Sequence, residues 1–413
     1  MLYHADLHIH IGRAGGDKPV KITASRDLTF ANIAAECAER KGIAIAGIVD
    51  CASPPVLDDI SRLLEAGEMV ELAGGGLRYR DKVTVVLGAE FETREPAGQP
   101  SHHVSYFPTL AQLRNFSARL SRHVTNLELS SQTCRLPAAE LWALCDEGGG
   151  TFVPAHSFTP HKSVYGSCVR RLRDMLPDEA LTAIPALELG LSADTFLADR
   201  IAELSAYTFL TNSDAHSLPR IAREHNALEL DQPTFAEVEM ALRRQQGRRV
   251  VANYGLDPRL GKYHRTVCED CGWQALEAPP VLVCRGCGSV RVTNGVLDRI
   301  VQIQDYPEAR HPAHRPPYVY QVPLEFVPRV GAVALSKLLN RFGTEMAVLH
   351  EAKADALVQT VGSRLADLIL RARAGELPLL PGGGGRYGRA VQDAGELQLS
   401  LPALTPTPTE PGG

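Results

Sequence analysis
The sequence predicts a mixed α/β protein carrying a small cysteine-rich module and a helical region behind its main domain. Three observations carry this. Up to about residue 255, short β-rich runs alternate with helix-like runs, the pattern of an α/β domain built on parallel strands. Metal-capable side chains recur beside those runs, mostly at their C-terminal ends. Further on, Cys268, Cys271, Cys284 and Cys287 form two C-x-x-C pairs, and a helical pattern follows over residues 323–373.

At 413 residues the chain is long enough for about two or three domains. A composition of 44% hydrophobic and 22% charged residues is that of a globular protein. No apolar run approaches bilayer length, and the N-terminus lacks the sections of a signal peptide, so a cytoplasmic location is expected. A net charge of −5 excludes a generally basic coat for nucleic acid and leaves that task to local patches. Nine cysteines without an export signal point to thiols or metal ligands rather than a disulfide framework.

Strands are expected near residues 2–10, 43–49, 83–87, 104–107, 151–153, 183–189, 208–211 and 250–253, with helices at 30–41 and 235–245 among those between them. In the first strand His8 and His10 are two apart and project on one side, with Asp6 in the same row. Asp50, Glu90, His156, Asp214 and His216 follow later strands, whereas His102 and His103 precede theirs. In α/β barrels the site gathers at the C-terminal ends of strands, so these segments are expected to converge on one cavity. Imidazoles and carboxylates together suit zinc, manganese or iron. His123 and His225, standing alone, read as surface or satisfied core groups.

Glu188 also ends a strand, where it either positions substrate or, with Ser192 and Asp194, belongs to a helix cap. The turn-rich segment 158–166 sets His161 and Lys162 beside His156, as a substrate loop would. Residues 242–265 hold Arg243, Arg244, Arg248, Arg249, Arg259, Lys262 and Arg265 against Asp257, either a solvated face or a binding surface. The four cysteines are what a closed tetrahedral zinc site requires, with Trp273 expected to pack on it. Tyr318 closes a rigid, partly basic connector, residues 311–318. Residues 382–388 form a glycine-rich stretch able to reach substrate, and the Pro- and Thr-rich end of the chain is expected to be disordered.

Asp6-Leu7-His8-Ile9-His10 resembles the first motif of the PHP (polymerase and histidinol phosphatase) superfamily of metal-dependent phosphoesterases. Gly88-Ala89-Glu90, the pair His102 and His103, Pro154-Ala155-His156 and Ser213-Asp214-Ala215-His216 resemble its later motifs in order. This resemblance implies a distorted seven-stranded β/α barrel with two or three divalent ions (Zn, Mn, Fe or Mg), ligated by His8, His10, Glu90, His103, His156, Asp214 and His216. Of these, His8, His10, Glu90, Asp214 and His216 would serve catalysis. Many members carry Asp-His after the second strand; here Asp50-Cys51 stands there, so Asp50 is a further ligand candidate and Cys51 either a thiolate ligand or a buried spectator. The segments starting at Val330 and Val361 resemble a tandem helix-hairpin-helix module, with Arg329 and Thr360 where family hairpins carry glycine; Arg329 is a phosphate-contact candidate.

The whole order is similar to the endonuclease Q family. That resemblance implies a DNA repair enzyme cutting 5′ of uracil, hypoxanthine, xanthine and abasic sites, with lesion-bearing DNA as partner and Glu188, His161, Arg329 and Tyr318 as substrate contacts. A sliding clamp is a conceivable partner, but no motif for one is evident. The expected domains are a barrel (1–255), a zinc module (256–310), a helical DNA-binding region (311–392) and a tail (393–413). The competing reading is a small-molecule phosphatase of the histidinol-phosphate kind.

Overall fold
The computed structural model describes residues 1–95 and 98–393. The expected tail falls outside the described residues except for Asp393. Leu2–Ile9 runs parallel to Ile45–Ile48, which runs parallel to Val83–Arg94. On the other side Leu2–Ile9 pairs antiparallel with His225–Glu229, followed by Arg249–Gly255 and then Tyr318–Tyr320. Val83–Arg94 also pairs with Pro100–Phe107, which pairs with Thr151–Pro154. These ladders, with Met69–Glu71 and Leu77–Tyr79, make a ten-stranded sheet, while Ala186–Glu188 and Thr208–Leu210 form a separate parallel pair. Seven is the strand count implied by resemblance; the hydrogen-bonded ladders do not reproduce it.

Leu7, Ile45, Val86, Val104, Val153, Ala186, Leu210, Leu228 and Val250 pack into one buried cluster. Strands from distant places in the ladder share that cluster, so the sheet must curl around it. The alternation of side chains along each strand then leaves a second face for the helices. Phe30–Glu36 and Leu110–Leu120 sit there, each opened by a threonine, Thr29 or Thr109, whose side chain accepts a backbone N–H of the first turn. Fully burying each Val, Leu or Phe of these cores contributes roughly 1.5–3 kcal/mol.

Behind the sheet, buried Asp298 accepts from Thr266 N, Val281 N and Arg265 Nε, tying the cysteine-rich segment to the helix Val296–Ile303. Arg299 of that helix donates to the carbonyls of Tyr165 and Val169. The connector is fixed by Arg315, which lies over the Phe209 ring at 3.4 Å and meets Asp199 at 2.8 Å. The helices Ala332–Phe342, Ala354–Val361 and Ser363–Arg373 follow. Buried Lys41 reaches Glu345 at 3.0 Å and so joins this region to the sheet domain.

Candidate metal centre
The first strand delivers His8 and His10 as its alternation requires, with their Nε2 atoms 3.3 Å apart. Each ring is backed by a carboxylate. Glu188 takes His8 Nδ1 at 2.9 Å, and Asp50 takes His10 Nδ1 at 3.0 Å. With Nδ1 committed to a carboxylate, it is the Nε2 atom of each ring that faces inward. There Glu90 lies 3.6 Å from His8 Nε2 and 3.7 Å from His10 Nε2, and Asp214 lies 3.3 Å from His10 Nε2. His156 Nε2 approaches Glu90 at 3.3 Å, and the His216 ring stands 4.6 Å from that of His10. His8, His10, Glu90, His156, Asp214 and His216 therefore gather from well-separated parts of the chain.

Other expected residues lie elsewhere. His103 is turned away: its Nε2 meets Ser101 Oγ at 2.9 Å and its ring stacks on Phe152, where burial pushes its pKa down to about 3. His102 takes the inward place, 3.0 Å from Glu90. The strand begins at Pro100 rather than residue 104, so both histidines lie within it and only one can face the cluster. Asp50 is not free to ligate, because Oδ2 accepts from His10 and from Ile11 N at 2.7 Å while Ser130 holds Oδ1. Glu188 lines the cleft beside the cluster, and its oxygens accept from His8 Nδ1, His156 N and Asn212 Nδ2, which makes it a positioning group for His8. Asp6 accepts backbone N–H groups of His8, Ser213 and Ala222 and touches no imidazole. Cys51 is buried, its thiol donating to Ile48 O and its pKa pushed up by burial, so it is the spectator of the two options. Tyr318 is buried, with its hydroxyl donating to Leu256 O at 3.0 Å, and cannot meet substrate. Arg329 is exposed in the turn before Ala332–Phe342 and adopts φ 70, the conformation that a glycine would take there.

The electrostatics demand a cation. Burial opposes charge on His8, yet Glu188, Glu90 and Asp214 outweigh it and raise its pKa to about 10. Burial likewise works against the Glu90 carboxylate, but His102 and Lys21 hold it well below the usual range. Glu90, Asp214, Asp50 and Glu188 are thus all held below the usual carboxylate range in a buried space, while His8, His10 and His102 are raised, so that positive charge on those three rings would balance them. Divalent ions set between the same nitrogens and oxygens would do so better, and the donor set fits them. Three overlapping groups, sharing His10 and Glu90, bring ligand atoms within 4.8 Å of one another. Backbone strain accompanies the site, with φ 28 at His156 and φ 44 at Asp214. Gly190, at φ +78, has no Cβ where one would come within 3.1 Å of His156 Cβ.

Beside the cluster opens a cleft of about 190 Å³, walled by His102, His156, His161, Lys262, Tyr263 and Tyr387 among others. His161 stands edge-on to Tyr263 at 5.5 Å, and Lys262 lies over both Tyr263 and Tyr387. His161 comes from the turn-rich segment 158–166 and Tyr387 from the glycine-rich stretch, while Lys262 belongs to the basic run and Tyr263 carries no signal of its own in the sequence. Most of that run is spent in ion pairs, including Arg243–Glu239, Arg248–Glu237, Arg249–Glu229 and Arg265–Asp298.

The four cysteines lie apart from this cleft. Cys268 Sγ is 3.7 Å from Cys287 Sγ, and Cys271 Sγ is 3.5 Å from Cys284 Sγ. Sulfurs around a tetrahedral zinc with bonds of about 2.3 Å would stand roughly 3.8 Å apart. The quartet is able to hold a metal and leaves no ligand position open.

A curled α/β sheet with a buried imidazole–carboxylate cluster opening on a cleft suits a metal-dependent hydrolase. Over 94% of its length the chain matches the crystal structure of the lesion-specific endonuclease PfuEndoQ from Pyrococcus furiosus, with a TM-score of 0.79, 32% identity and 95% of that chain covered. The chain belongs to the endonuclease Q family. It also matches Endonuclease Q in complex with a 27-mer duplex bearing an abasic lesion at the active site (TM-score 0.78, 32% identity, 94% of this chain and 96% of that one). In sequence it is 46% identical to the Bacillus subtilis protein YqxK over 94% of this chain and 98% of that protein. No family model matches it. Among the described residues, no helix is long and apolar enough to cross a membrane.

Proposed function
We propose that this chain is a DNA repair endonuclease that cuts the phosphodiester 5′ of deaminated bases (uracil, hypoxanthine, xanthine) and of abasic sites. The observation that carries the reading is the junction of two features: the His8, His10, Glu90 and Asp214 cluster opens onto a cleft lined by His161, Lys262, Tyr263 and Tyr387. Divalent ions, when bound, supply positive charge at the phosphate and acidify water. His8, His10, Glu90, His102, His156, Asp214 and His216 would hold them. Glu188 and Asp50 fix the two leading imidazoles, and Lys21, 3.5 Å from Glu90, adds a positive charge at the cluster. The aromatic rings of Tyr263 and Tyr387 offer faces on which an unstacked base can rest, and Lys262 offers a charge for its phosphate.

The chain divides on this reading into a PHP-type barrel domain (1–255), a zinc module (256–310) and a helical region (311–392). The exposed turns at Arg329 and Gly362, each leading into a helix, grip the DNA backbone at a distance from the cut. The test is incision of end-labelled duplexes carrying uracil, hypoxanthine, xanthine or an abasic site, with zinc, manganese or magnesium supplied and the product ends mapped. Cutting 5′ of the lesion, lost in His8→Ala and in Asp214→Ala, is the expected result. Release of phosphate from histidinol phosphate with no incision of any duplex would overturn it.

A further inference from the structure
A third cluster of metal-capable side chains lies away from both the barrel cluster and the cysteines. His4 comes from the first strand, His225 from the strand beside it, and His350 from the turn of π-helix Ala347–Glu351 in the helical region. Each offers a ring nitrogen, and these atoms lie within 4.8 Å of one another. His225 is fully buried. His4 Nδ1, His225 Nε2 and His350 Nε2 are buried and have no hydrogen-bond partner among the described residues. Three orphaned imidazole nitrogens in one place are costly, since each forfeits a hydrogen bond it would have in water.

The spacing of the rings also matches that of ligands, although His4 and His350 lie nearly parallel. Their centroids are 5.0 Å (His4–His225), 4.9 Å (His4–His350) and 5.6 Å (His225–His350) apart. Three imidazoles on one tetrahedral ion, with bonds of about 2.0–2.1 Å, would place their centroids roughly 5 Å apart. The His8–His10 and His10–His216 pairs of the barrel cluster, at 5.0 and 4.6 Å, have the same spacing. Tyr254 walls the site, stacked on His225 at 4.7 Å.

Gln321 supplies an orienting group. Its Nε2 is set 3.3 Å from His225 Nδ1, while its buried Oε1 has no hydrogen-bond partner among the described residues. Turning the amide over lets Oε1 accept from Nδ1–H. The His225 tautomer is then the one with its lone pair on Nε2, facing the other two rings.

We propose that His4, His225 and His350 form a further metal site, for a borderline divalent cation of the zinc class, that clamps the helical region onto the first and penultimate antiparallel strands of the sheet domain. Three neutral imidazoles without a carboxylate favour zinc, nickel or copper over magnesium or calcium. The inference is independent of the nuclease reading. His4 and His350 are partly exposed, so an ion can reach the site from solvent.

The probe is Zn2+ alone on the full-length chain, stripped with chelator, reloaded, desalted and analysed for metal by plasma mass spectrometry. His350→Phe keeps an aromatic ring at that position and removes the nitrogen. It should carry one zinc fewer per chain than the wild type, and its melting temperature should gain less from added Zn2+. Equal metal content in the two proteins would overturn the proposal. Wild-type crystals grown with Zn2+ give a measurement that needs no variant. An anomalous peak at the zinc edge among the three rings is expected, and its absence would also overturn the site.

Discussion
Glu188→Gln separates a residue that positions a ligand from one that meets substrate. In the wild type both Glu188 oxygens accept: Oε2 from His8 Nδ1 at 2.9 Å and from His156 N at 3.1 Å, Oε1 from Asn212 Nδ2 at 2.8 Å. A glutamine keeps the shape but must turn its NH2 toward one of those donors. Facing His156 N it meets a backbone group that cannot turn. Facing Asn212 it meets an amide whose own oxygen is committed to Leu7 N and Asn226 Nδ2. Either arrangement leaves a buried donor unsatisfied, at about 1–3 kcal/mol of stability. The loss of charge behind His8 acts separately. Carboxylates that back a ligand histidine are worth about 10–100-fold in metal affinity or activity, or roughly 1.4–2.7 kcal/mol. The assay pairs a Zn2+ or Mn2+ titration with incision of an abasic-site duplex, with circular dichroism confirming the fold. Metal affinity and turnover should fall together by one to two decades, rescued in part by excess metal. A folded variant with wild-type metal affinity and only a raised KM would refute the positioning role and restore Glu188 as a substrate contact.

Within the histidine pair, His102→Ala should lower incision at least tenfold while His103→Phe, a ring for a ring against Phe152, leaves it within a few-fold; the reverse ranking would mean the strand faces are misassigned. Asp199→Ala strands the Arg315 guanidinium, whose side chain is 2% exposed, without its carboxylate; urea unfolding should register a loss of about 3–5 kcal/mol, and a loss below about 1 kcal/mol would show the pair to be dispensable. Cys284→Ser should release one zinc per chain and open residues 265–294 to limited proteolysis while the barrel keeps its metal; an uncut segment would count against a structural metal there. Burial, with Arg265 beside it, holds His264 down at about 4 rather than 6.5, so between those values the unfolded chain binds more protons and acid weakens the fold. His264→Gln removes that contribution, on the order of 1–2 kcal/mol near pH 5, and should show a smaller drop in Tm between neutral pH and about pH 5; equal drops in both proteins would exclude His264 as a cause.

Features that depend on short-range spacing were legible in the sequence. His8 and His10 share a face because strand side chains alternate, and the cysteine pairs sit at ligand spacing whatever surrounds them. The choice between His102 and His103 was not legible, because it turns on register, and a shift of one residue exchanges every side chain between the two faces. A strand start placed at residue 104 left both histidines outside it, whereas the ladder with Val83–Arg94 begins at Pro100. Asp50 and Glu188 are carboxylates at strand ends, just as a ligand would be, and only the placement of donors from residues 8, 10, 11, 130, 156 and 212 shows which groups their oxygens already serve. Lys21, Tyr263 and Tyr387 reach the site from loops whose approach is set by tertiary packing, which no local periodicity encodes.

One physical rule sorts the histidines of this chain, and it concerns the nitrogen that does not bind metal. His8 and His10 give Nδ1–H to carboxylates, which fixes the tautomer and draws positive charge toward Nε2. His103 meets a serine hydroxyl on one nitrogen and has no partner on the other; Phe152 covers its ring, and burial drives it neutral, a packing residue. His225 falls between these cases, because the group facing its Nδ1 is the uncharged amide of Gln321. An amide can set the tautomer without adding negative charge, so the His4, His225 and His350 cluster lacks the acidic field that surrounds His8. Such a site would bind through nitrogen lone pairs alone and would do little to activate a phosphate, which suits a clamp between elements rather than a second reaction centre. The carboxylate-backed cluster beside the cleft remains the place where charge is concentrated and where substrate can approach.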